Sequence, residues 1–262
     1  MLAQRLATAA VGAPLVILTI WVGDALLAAV VATAVFIAVL EIAAARGPVL
    51  RPTALLAAGL AAALPAAALA EGDWFLGAIV AAVLVPAAAL AFTREPATGV
   101  EVWRESVSSI LYFGLLASHF VLLRELENGR DWLIFVLLTV WIADTGAYVV
   151  GRTLGRHKLA PAVSPGKTIE GSIGAVVSGA LAVVGLNEAL DLGLAAQHLV
   201  ALALILPPAA VVGDLAESAI KRSLDLKDTS GLIPGHGGVA DRLDSLLFAA
   251  PVVYYYLQWS VF

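Results

Sequence analysis

Long apolar segments alternate with short polar ones along almost the whole chain. Each apolar segment is close to the length that a helix needs to cross a hydrocarbon core of about 30 Å. These segments lie near residues 7–22, 25–46, 53–70, 74–93, 106–123, 132–150, 172–190, 199–220 and 244–261. The pattern therefore predicts an all-α polytopic membrane protein with about nine transmembrane helices.

The composition supports this class and argues against several others. Hydrophobic residues make up 61% of the chain and charged residues only 13%, unlike a soluble domain. A net charge of −5 without a basic tail argues against a nucleic-acid partner. The absence of Cys excludes disulfides, thiol catalysis and Cys-based zinc sites. No small-residue cleavage site follows the first apolar segment, so we expect that segment to be retained as an anchor.

The basic residues predict the orientation. If the nine segments cross the membrane in turn, 13 of the 15 Lys and Arg residues fall on one side, and only Arg124 and Arg130 fall on the other. Because positive residues accumulate on the cytoplasmic side, that first side is predicted to be cytoplasmic. The N-terminus is then inside and the C-terminus outside.

Three acidic residues fall inside apolar segments. Asp144 lies 13 residues beyond Asp131, which places it roughly 20 Å into a core of about 30 Å. Asp214 and Glu41 fall at a similar level, in the cytoplasmic third of the membrane. No motif surrounds Glu41, so we interpret it as a capping or inter-helix partner rather than a direct participant in chemistry.

Charged residues are concentrated in one stretch, Gly213–Ser245, which contains six Asp or Glu, four Lys or Arg and one His. Its first part places Asp214, Glu217, Ser218, Lys221 and Arg222 on one helical face. A Gly-rich link follows, and Asp241, Asp244 and Ser245 repeat the helical spacing, which predicts two polar helix faces joined by a loop. Carboxylates suit a hard divalent cation and basic side chains suit phosphates, so the stretch favours phosphoryl chemistry on a metal-bound nucleotide.

Two simpler interpretations apply to parts of this stretch. A solvated charged loop between two helices is one, but it leaves Asp214 and Glu217 unexplained inside an apolar segment. An i, i+4 salt bridge between Glu217 and Lys221 with purely structural value is the other. Pro207 and Pro208 indicate either a simple kink or the wall of a cavity.

A second polar segment, Lys158–Gly171, precedes the predicted helix near 172–190. Ser164, Lys167 and Thr168 supply donors just before a helix N-terminus, which is a natural phosphate site. An ordinary N-cap is the alternative. A P-loop is excluded because Pro161 stands where that motif requires Gly. Upstream, Gly151 and Gly155 have a spacing that indicates close helix packing.

Several of these segments resemble one family. Ser218–Arg222, Lys227–Asp228 and His236–Asp244 together are similar to the signature of the phosphatidate cytidylyltransferases, or CDP-diacylglycerol synthases. Asp144–Tyr148 and Ser164–Thr168 resemble two further elements of that family. The resemblance is strong over about residues 140–245 and elsewhere rests on hydrophobic pattern alone. It implies transfer of CMP from CTP to phosphatidic acid, giving CDP-diacylglycerol and pyrophosphate.

The resemblance and the residue types together suggest roles for the side chains. We expect catalytic roles for Asp214, Asp241, Lys221, Arg222 and Asp244, with metal ligation by Asp214, Asp241 and, as a further candidate, Asp244. Substrate binding is expected of Asp144, Ser164, Lys167, Thr168, Glu170, Ser218, Lys227, Asp228, His236, Gly237, Gly238 and Arg242. Mg²⁺ is the expected ion because carboxylates and phosphates are hard ligands, and a second metal ion remains open.

The same interpretation predicts the organisation and location of the protein. Residues 1–105 are expected to form an N-terminal transmembrane region, and residues 106–262 a catalytic one with cytoplasmic loops 151–171 and 221–243. We expect a multi-pass protein of the inner cell membrane whose active site faces the cytoplasm. Its partners are CTP, phosphatidic acid and the bilayer, and a homodimer is left open.

Three alternatives remain. A CTP-dependent enzyme that acts on another lipid phosphate would need the same residues. An intramembrane aspartyl protease would use paired acids such as Asp144 and Asp214, but Val211 stands where its Gly-x-Gly-Asp motif needs Gly. A cation transporter could use acids in the membrane, but it would not need the Gly-rich loop or Lys167.

Overall fold

The computed structural model describes residues 2–47, 51–70, 72–235 and 237–262. Helices dominate these ranges: α1 (Leu2–Val22), α2 (Asp24–Ala44), α3 (Pro52–Ala67), α4 (Trp74–Leu90), α5 (Pro96–Ser109), α6 (Leu116–Arg124), α7 (Gly129–Thr153), α8 (Ile169–Ala189), α9 (Ala196–Ser223) and α10 (Asp244–Ser260). A π-helical turn, Ile110–Leu115, joins α5 to α6 as one continuous helix. The predicted helical architecture is therefore confirmed, with each predicted apolar segment inside or overlapping a helix.

Five helices in the described ranges are long and apolar enough to cross a membrane: Ala25–Ala44, Pro96–Arg124, Gly129–Thr153, Ile169–Ala189 and Ala196–Ser223. Shorter apolar helices cover Ala10–Val22, Pro52–Ala67 and Trp74–Leu90. These lengths and compositions are those of a multi-pass membrane protein. The count of nine spans and the orientation of the termini stay predictions.

Local residues explain where several helices begin. Pro52 and Pro96 stand at the first position of α3 and α5, where the missing N–H of proline costs nothing. The helix that starts at Pro96 was predicted only from residue 106, because Glu101, Arg104 and Glu105 interrupt the apolar pattern. Hydropathy thus located the buried part of this helix and missed its polar first turns.

The chain divides into two compact units. The first contains residues 1–125 and 228–242, and the second contains residues 126–227 and 243–262. The predicted boundary near residue 105 concerned function rather than packing, and it stays a prediction.

In the first unit α2 packs on α3, and α3 packs on the π-helical turn, where a Cβ added to Gly114 would lie 2.7 Å from Ala61 O. The first unit therefore depends on close backbone contact as well as on apolar side chains.

Small residues hold the helices of the second unit together. A Cβ added to Gly174 of α8 would lie 2.9 Å from Gly146 O of α7, so the two backbones touch. Gly151 of α7 continues this contact, because a Cβ there would lie 3.2 Å from Thr168 Oγ1. The packing interpretation of the Gly151–Gly155 spacing is thus confirmed for Gly151, whereas Gly155 lies beyond the end of α7. α9 runs unbroken through Pro207 and Pro208 and packs on both α8 and α10.

The segment before α8 is not a simple loop. Strands β1 (Lys158–Ala160) and β2 (Ser164–Thr168) form an antiparallel pair in which Lys158 faces Thr168 and Ala160 faces Ser164. The all-α prediction is therefore incomplete at this point. The hairpin escaped sequence reasoning because its two strands are too short to show alternation and contain Pro and Gly.

Candidate active site

The polar face predicted for residues 214–222 lies on α9. Glu217 is fully buried and its Oε2 atom lies 2.7 Å from the Nζ atom of Lys221, one helical turn further along. The predicted i, i+4 salt bridge is thereby confirmed. Because the two opposite charges lie side by side, each offsets a charge that the apolar surroundings would otherwise disfavour.

The hairpin brings a second cation to this face. The Nζ atom of Lys167 on β2 lies 2.5 Å from Oδ2 of Asp214 on α9. The side chains of Lys167 and Asp214 are 22% and 32% exposed, although the Nζ atom of Lys167 is itself covered. Ser218 Oγ lies 3.5 Å from Asp214 Oδ1, at the limit of a hydrogen bond. Two segments that the sequence showed separately as polar thus meet within the second unit.

Arg222 fixes the hairpin to the end of α9. Its Nε donates to Val163 O at 3.2 Å and its Nη1 donates to Leu226 O at 2.6 Å. The guanidinium therefore joins the turn of the hairpin to the chain that leaves α9. Arg222 is itself exposed, which is compatible with the phosphate contact expected of it.

The start of α8 is held by two of the predicted substrate-binding residues. Thr168 is its N-cap, with Oγ1 accepting from Gly171 N at 3.1 Å. Glu170 accepts from Arg156 N at 3.0 Å, and its Oε1 lies 2.6 Å from Nδ1 of His157. The N-cap interpretation of Thr168 is confirmed. Phosphate binding by Ser164, Lys167, Thr168 and Glu170 stays a prediction.

Asp241 is not where the sequence predicted it. It lies in a 3₁₀ turn, Ala240–Arg242, while α10 begins only at Asp244, so Asp241, Asp244 and Ser245 do not share one α-helical face. The carboxylate of Asp241 turns back, and its Oδ2 accepts from Thr229 N at 2.9 Å and Gly238 N at 2.8 Å, with Thr229 Oγ1 also 3.0 Å away. Gly237, with φ +80°, supplies the turn that makes this approach possible.

Glu41 of α2 contacts the same loop, Asp228–Arg242, which we call the signature loop. Its carboxylate accepts hydrogen bonds from Thr229, Ser230, Val239 and Ala240. The interpretation of Glu41 as a capping partner is confirmed, because Val239 N and Ala240 N lie at the start of the 3₁₀ turn. Sequence reasoning missed Thr229 and Ser230, and the buried acid in an apolar segment was the one signal that pointed toward them.

The remaining predicted residues are more dispersed. Asp144 is exposed on α7, Asp228 and Arg242 are exposed at the two ends of the signature loop, and Lys227 is exposed just before it. Asp244 is the first residue of α10, and its Oδ1 accepts from Ser245 N at 2.7 Å. Gly238 is buried beside Glu41 and Gly237 is half-buried. His236 lies outside the described residues.

Metal ligation can be tested against the chemistry of these donors. Among the residues that the structure describes, no three His, Cys, Asp or Glu side chains gather as a metal site would require. Mg²⁺ often takes only one or two carboxylates and completes its shell with water and substrate phosphates. The partly exposed carboxylate of Asp214 fits that second kind of site.

Comparison with known proteins gives two findings. The sequence model of the cytidylyltransferase family matches residues 3–260. The phosphatidate cytidylyltransferase of Bacillus subtilis (strain 168) is 37% identical over 148 residues, 56% of this chain and 55% of that protein. The protein of the same name from Staphylococcus saprophyticus is 38% identical over 146 residues, 55% of each chain. The chain thus matches these curated relatives over about half of their length.

Proposed function

We infer the function of this chain from the family to which it belongs: it is a member of the cytidylyltransferase family, and we propose that it transfers the cytidylyl group of CTP to phosphatidic acid. The products are CDP-diacylglycerol and pyrophosphate. The names of the relatives from Bacillus and Staphylococcus support this choice of substrate.

The observation that carries the proposal is the pair formed by Lys167 and Asp214, 2.5 Å apart. A nucleotide that carries a divalent ion presents both charges that this pair can bind. Its phosphate oxygens suit the ammonium group and its cation suits the carboxylate. Without substrate the two side chains neutralise each other, so neither charge is left isolated in apolar surroundings.

The reaction needs positioning more than proton transfer. The phosphate of phosphatidic acid is already ionised near neutral pH, so one of its oxygens can attack the α-phosphorus of CTP directly. The new P–O bond forms as the bond to the bridging oxygen of pyrophosphate breaks, and pyrophosphate leaves with that electron pair. Lys167, Lys221 and Arg222 would bind phosphate oxygens and offset the charge that develops on the leaving group.

Asp214 is the residue that we propose to hold Mg²⁺, with Asp241 and Asp244 as further candidates and a second ion left open. When bound, the ion would neutralise the phosphates of CTP. Asp241 Oδ2 already accepts two backbone hydrogen bonds from its own loop, which makes Asp214 the first ligand to test.

We further propose that the chain crosses the inner cell membrane about nine times, with the N-terminus and the active site on the cytoplasmic side and the C-terminus outside. The strongly one-sided distribution of basic residues supports this orientation. It lets CTP arrive from the cytosol while the lipid phosphate arrives along the bilayer surface.

The test is a transfer assay with purified protein in liposomes that contain phosphatidic acid. With CTP labelled at the α-phosphorus and Mg²⁺, we expect the label in the lipid fraction and release of unlabelled pyrophosphate. Liposomes with an ether-linked lipid phosphate test the other acceptor class. Folded protein that labels no lipid phosphate would overturn the proposal, and full turnover in excess chelator would overturn its metal-dependent part.

A further inference from the structure

The carboxylate of Glu41 is buried, with the residue 7% exposed. Each of its two oxygens has two donors within hydrogen-bond distance. Oε1 accepts from Ser230 Oγ at 2.6 Å and from Val239 N at 3.0 Å. Oε2 accepts from Thr229 Oγ1 at 3.1 Å and from Ala240 N at 3.0 Å. The donors come from both ends of the signature loop, so one side chain of α2 fastens the loop at its entry and its exit.

The same contacts lead to Asp241. The hydroxyl of Thr229 lies within hydrogen-bond distance of Glu41 Oε2 and of Asp241 Oδ2, at 3.1 Å and 3.0 Å. Glu41 also binds the backbone N–H of Ala240, the residue before Asp241. The direction of the Asp241 carboxylate therefore depends on Glu41 both through the backbone and through Thr229.

Gly238 shows how closely this acid approaches the loop. A Cβ added there would clash with Thr229 Oγ1 and would lie 2.5 Å from Glu41 Oε2, so no larger residue fits while this hydroxyl and the acid keep their positions. Gly238 N in turn donates to Asp241 Oδ2. Gly238 therefore permits the contact between α2 and the loop. Close approach of a ligand to the backbone is not the only reason for a glycine at this position.

We propose that Glu41 is a positioning residue for cytidylyl transfer: it holds the signature loop in the conformation in which Asp241, Gly237 and Gly238 act on the nucleotide. This inference rests on the proposed function and deepens it. It adds a residue from the part of the chain where the family resemblance consists of hydrophobic pattern alone.

The isosteric substitution Glu41→Gln tests the charge without changing the volume. A glutamine has one acceptor oxygen, and its NH₂ group faces the donors that bind the other carboxylate oxygen. The hydroxyl of Thr229 or Ser230 can rotate and accept, but the backbone N–H of Val239 or Ala240 cannot. The exit end of the loop therefore loses one of its two backbone hydrogen bonds to Glu41, whichever way the amide points.

The experiment compares the full-length wild type with Glu41→Gln, Ser230→Ala and the exposed control Glu101→Gln in liposomes. For Glu41→Gln we expect kcat to fall and KM for CTP to rise, each at least about tenfold, because the loop leaves its working geometry. Amide exchange should become faster in residues 228–242 and stay unchanged in α7 and α8. Ser230→Ala should have a small effect, since three donors remain, and Glu101→Gln should have none.

The outcomes separate this inference from the proposed function. A purely structural role would reduce the amount of active protein and leave KM for CTP unchanged, and that result would overturn the inference. Unchanged exchange in residues 228–242 would do the same. If the wild type itself labels no lipid, the proposed function fails, and amide exchange still decides whether Glu41 fixes the loop. If Glu41→Gln does not insert, Thr229→Val removes only the shared hydroxyl, and wild-type kcat and KM in that variant would overturn the coupling to Asp241.

Discussion

Three acidic side chains within the helices of this apolar chain, Asp214, Glu217 and Glu41, have identifiable partners close by. Lys167 contacts Asp214, Lys221 contacts Glu217, and Glu41 accepts four hydrogen bonds. An isolated charge in such surroundings would be strongly unfavourable, by several kcal/mol. The pairs nevertheless differ in access, because Glu217 is fully buried whereas Asp214 is partly exposed. That difference in access predicts different consequences for their removal.

Asp214→Asn should abolish turnover while the protein still inserts and purifies normally. Asparagine keeps the volume of the side chain but removes the charge that Lys167 and a substrate-bound cation require. We expect at least about a hundredfold loss of kcat, measured by transfer of labelled CMP to lipid. Asp191→Asn is the matched control, because Asp191 is exposed and its φ of +50° suits asparagine equally well. Substantial activity in Asp214→Asn would remove Asp214 from the chemistry.

Glu217→Gln should show the opposite behaviour, with lower stability and a measurable fraction of activity. Lys221 would lose its counter-charge inside the protein, an effect that typically amounts to about 3–5 kcal/mol. Thermal unfolding in detergent measures the loss, and adding Lys221→Met should restore part of it because the ammonium that has lost the Glu217 carboxylate is then gone. An inactive Glu217→Gln with unchanged thermal stability would instead assign Glu217 to the reaction.

At the scale of the elements, the α7–α8 contact depends on glycine. A Cβ added to Gly174 would lie 2.6 Å from Val150 Cβ and 2.9 Å from Gly146 O, so Gly174→Ala must separate the helices. We expect a destabilisation of about 1–3 kcal/mol in thermal unfolding. On the same helix, a Cβ added to Gly185 meets nothing within 4 Å, so Gly185→Ala should be neutral or slightly stabilising. Equal effects of the two substitutions would contradict this account of the contact.

The sequence predicted the helices better than the geometry of the polar segments. Apolar runs are long and periodic, so the positions of α7, α8 and α9 could be predicted within a few residues. The hairpin at 158–168 could not be predicted because its strands are too short to show alternation, and the 3₁₀ turn at Asp241 could not be predicted because it depends on contacts with Thr229 and Glu41. Spacing alone placed Asp241 on a helix, whereas Thr229 and Gly238 hold its carboxylate in a turn. The residue types of the polar segments could be read from the sequence, whereas the contacts of each residue required the structure.

At the scale of the whole molecule, the signature loop belongs to a different packing unit from α9. The chain leaves the second unit after Lys227, enters the first for residues 228–242, and returns at Leu243. The residue types that resemble the family signature are therefore divided between two units. The first unit contributes α2 and Glu41 to this loop, so the N-terminal part of the chain does more than anchor the protein.

Orientation in the membrane is the last property that can be tested on the intact protein. α8 has 21 residues and is about 31 Å long, close to the thickness of the hydrocarbon core, so positions before its start and in its last turn must lie on opposite sides if it spans. Because the chain contains no Cys, single substitutions at exposed Lys158 and Glu188 create unique labelling sites.

In intact cells a membrane-impermeant maleimide should label Glu188→Cys, and it should label Lys158→Cys only after the membrane is permeabilised. The Cys-free parent is the control for background, and both variants should label fully in detergent. The basic residues near Lys158 are the physical reason for this expectation, since segments rich in Lys and Arg stay in the cytoplasm. Labelling of Lys158→Cys in intact cells would place the hairpin and Lys167 outside, where CTP could not reach them.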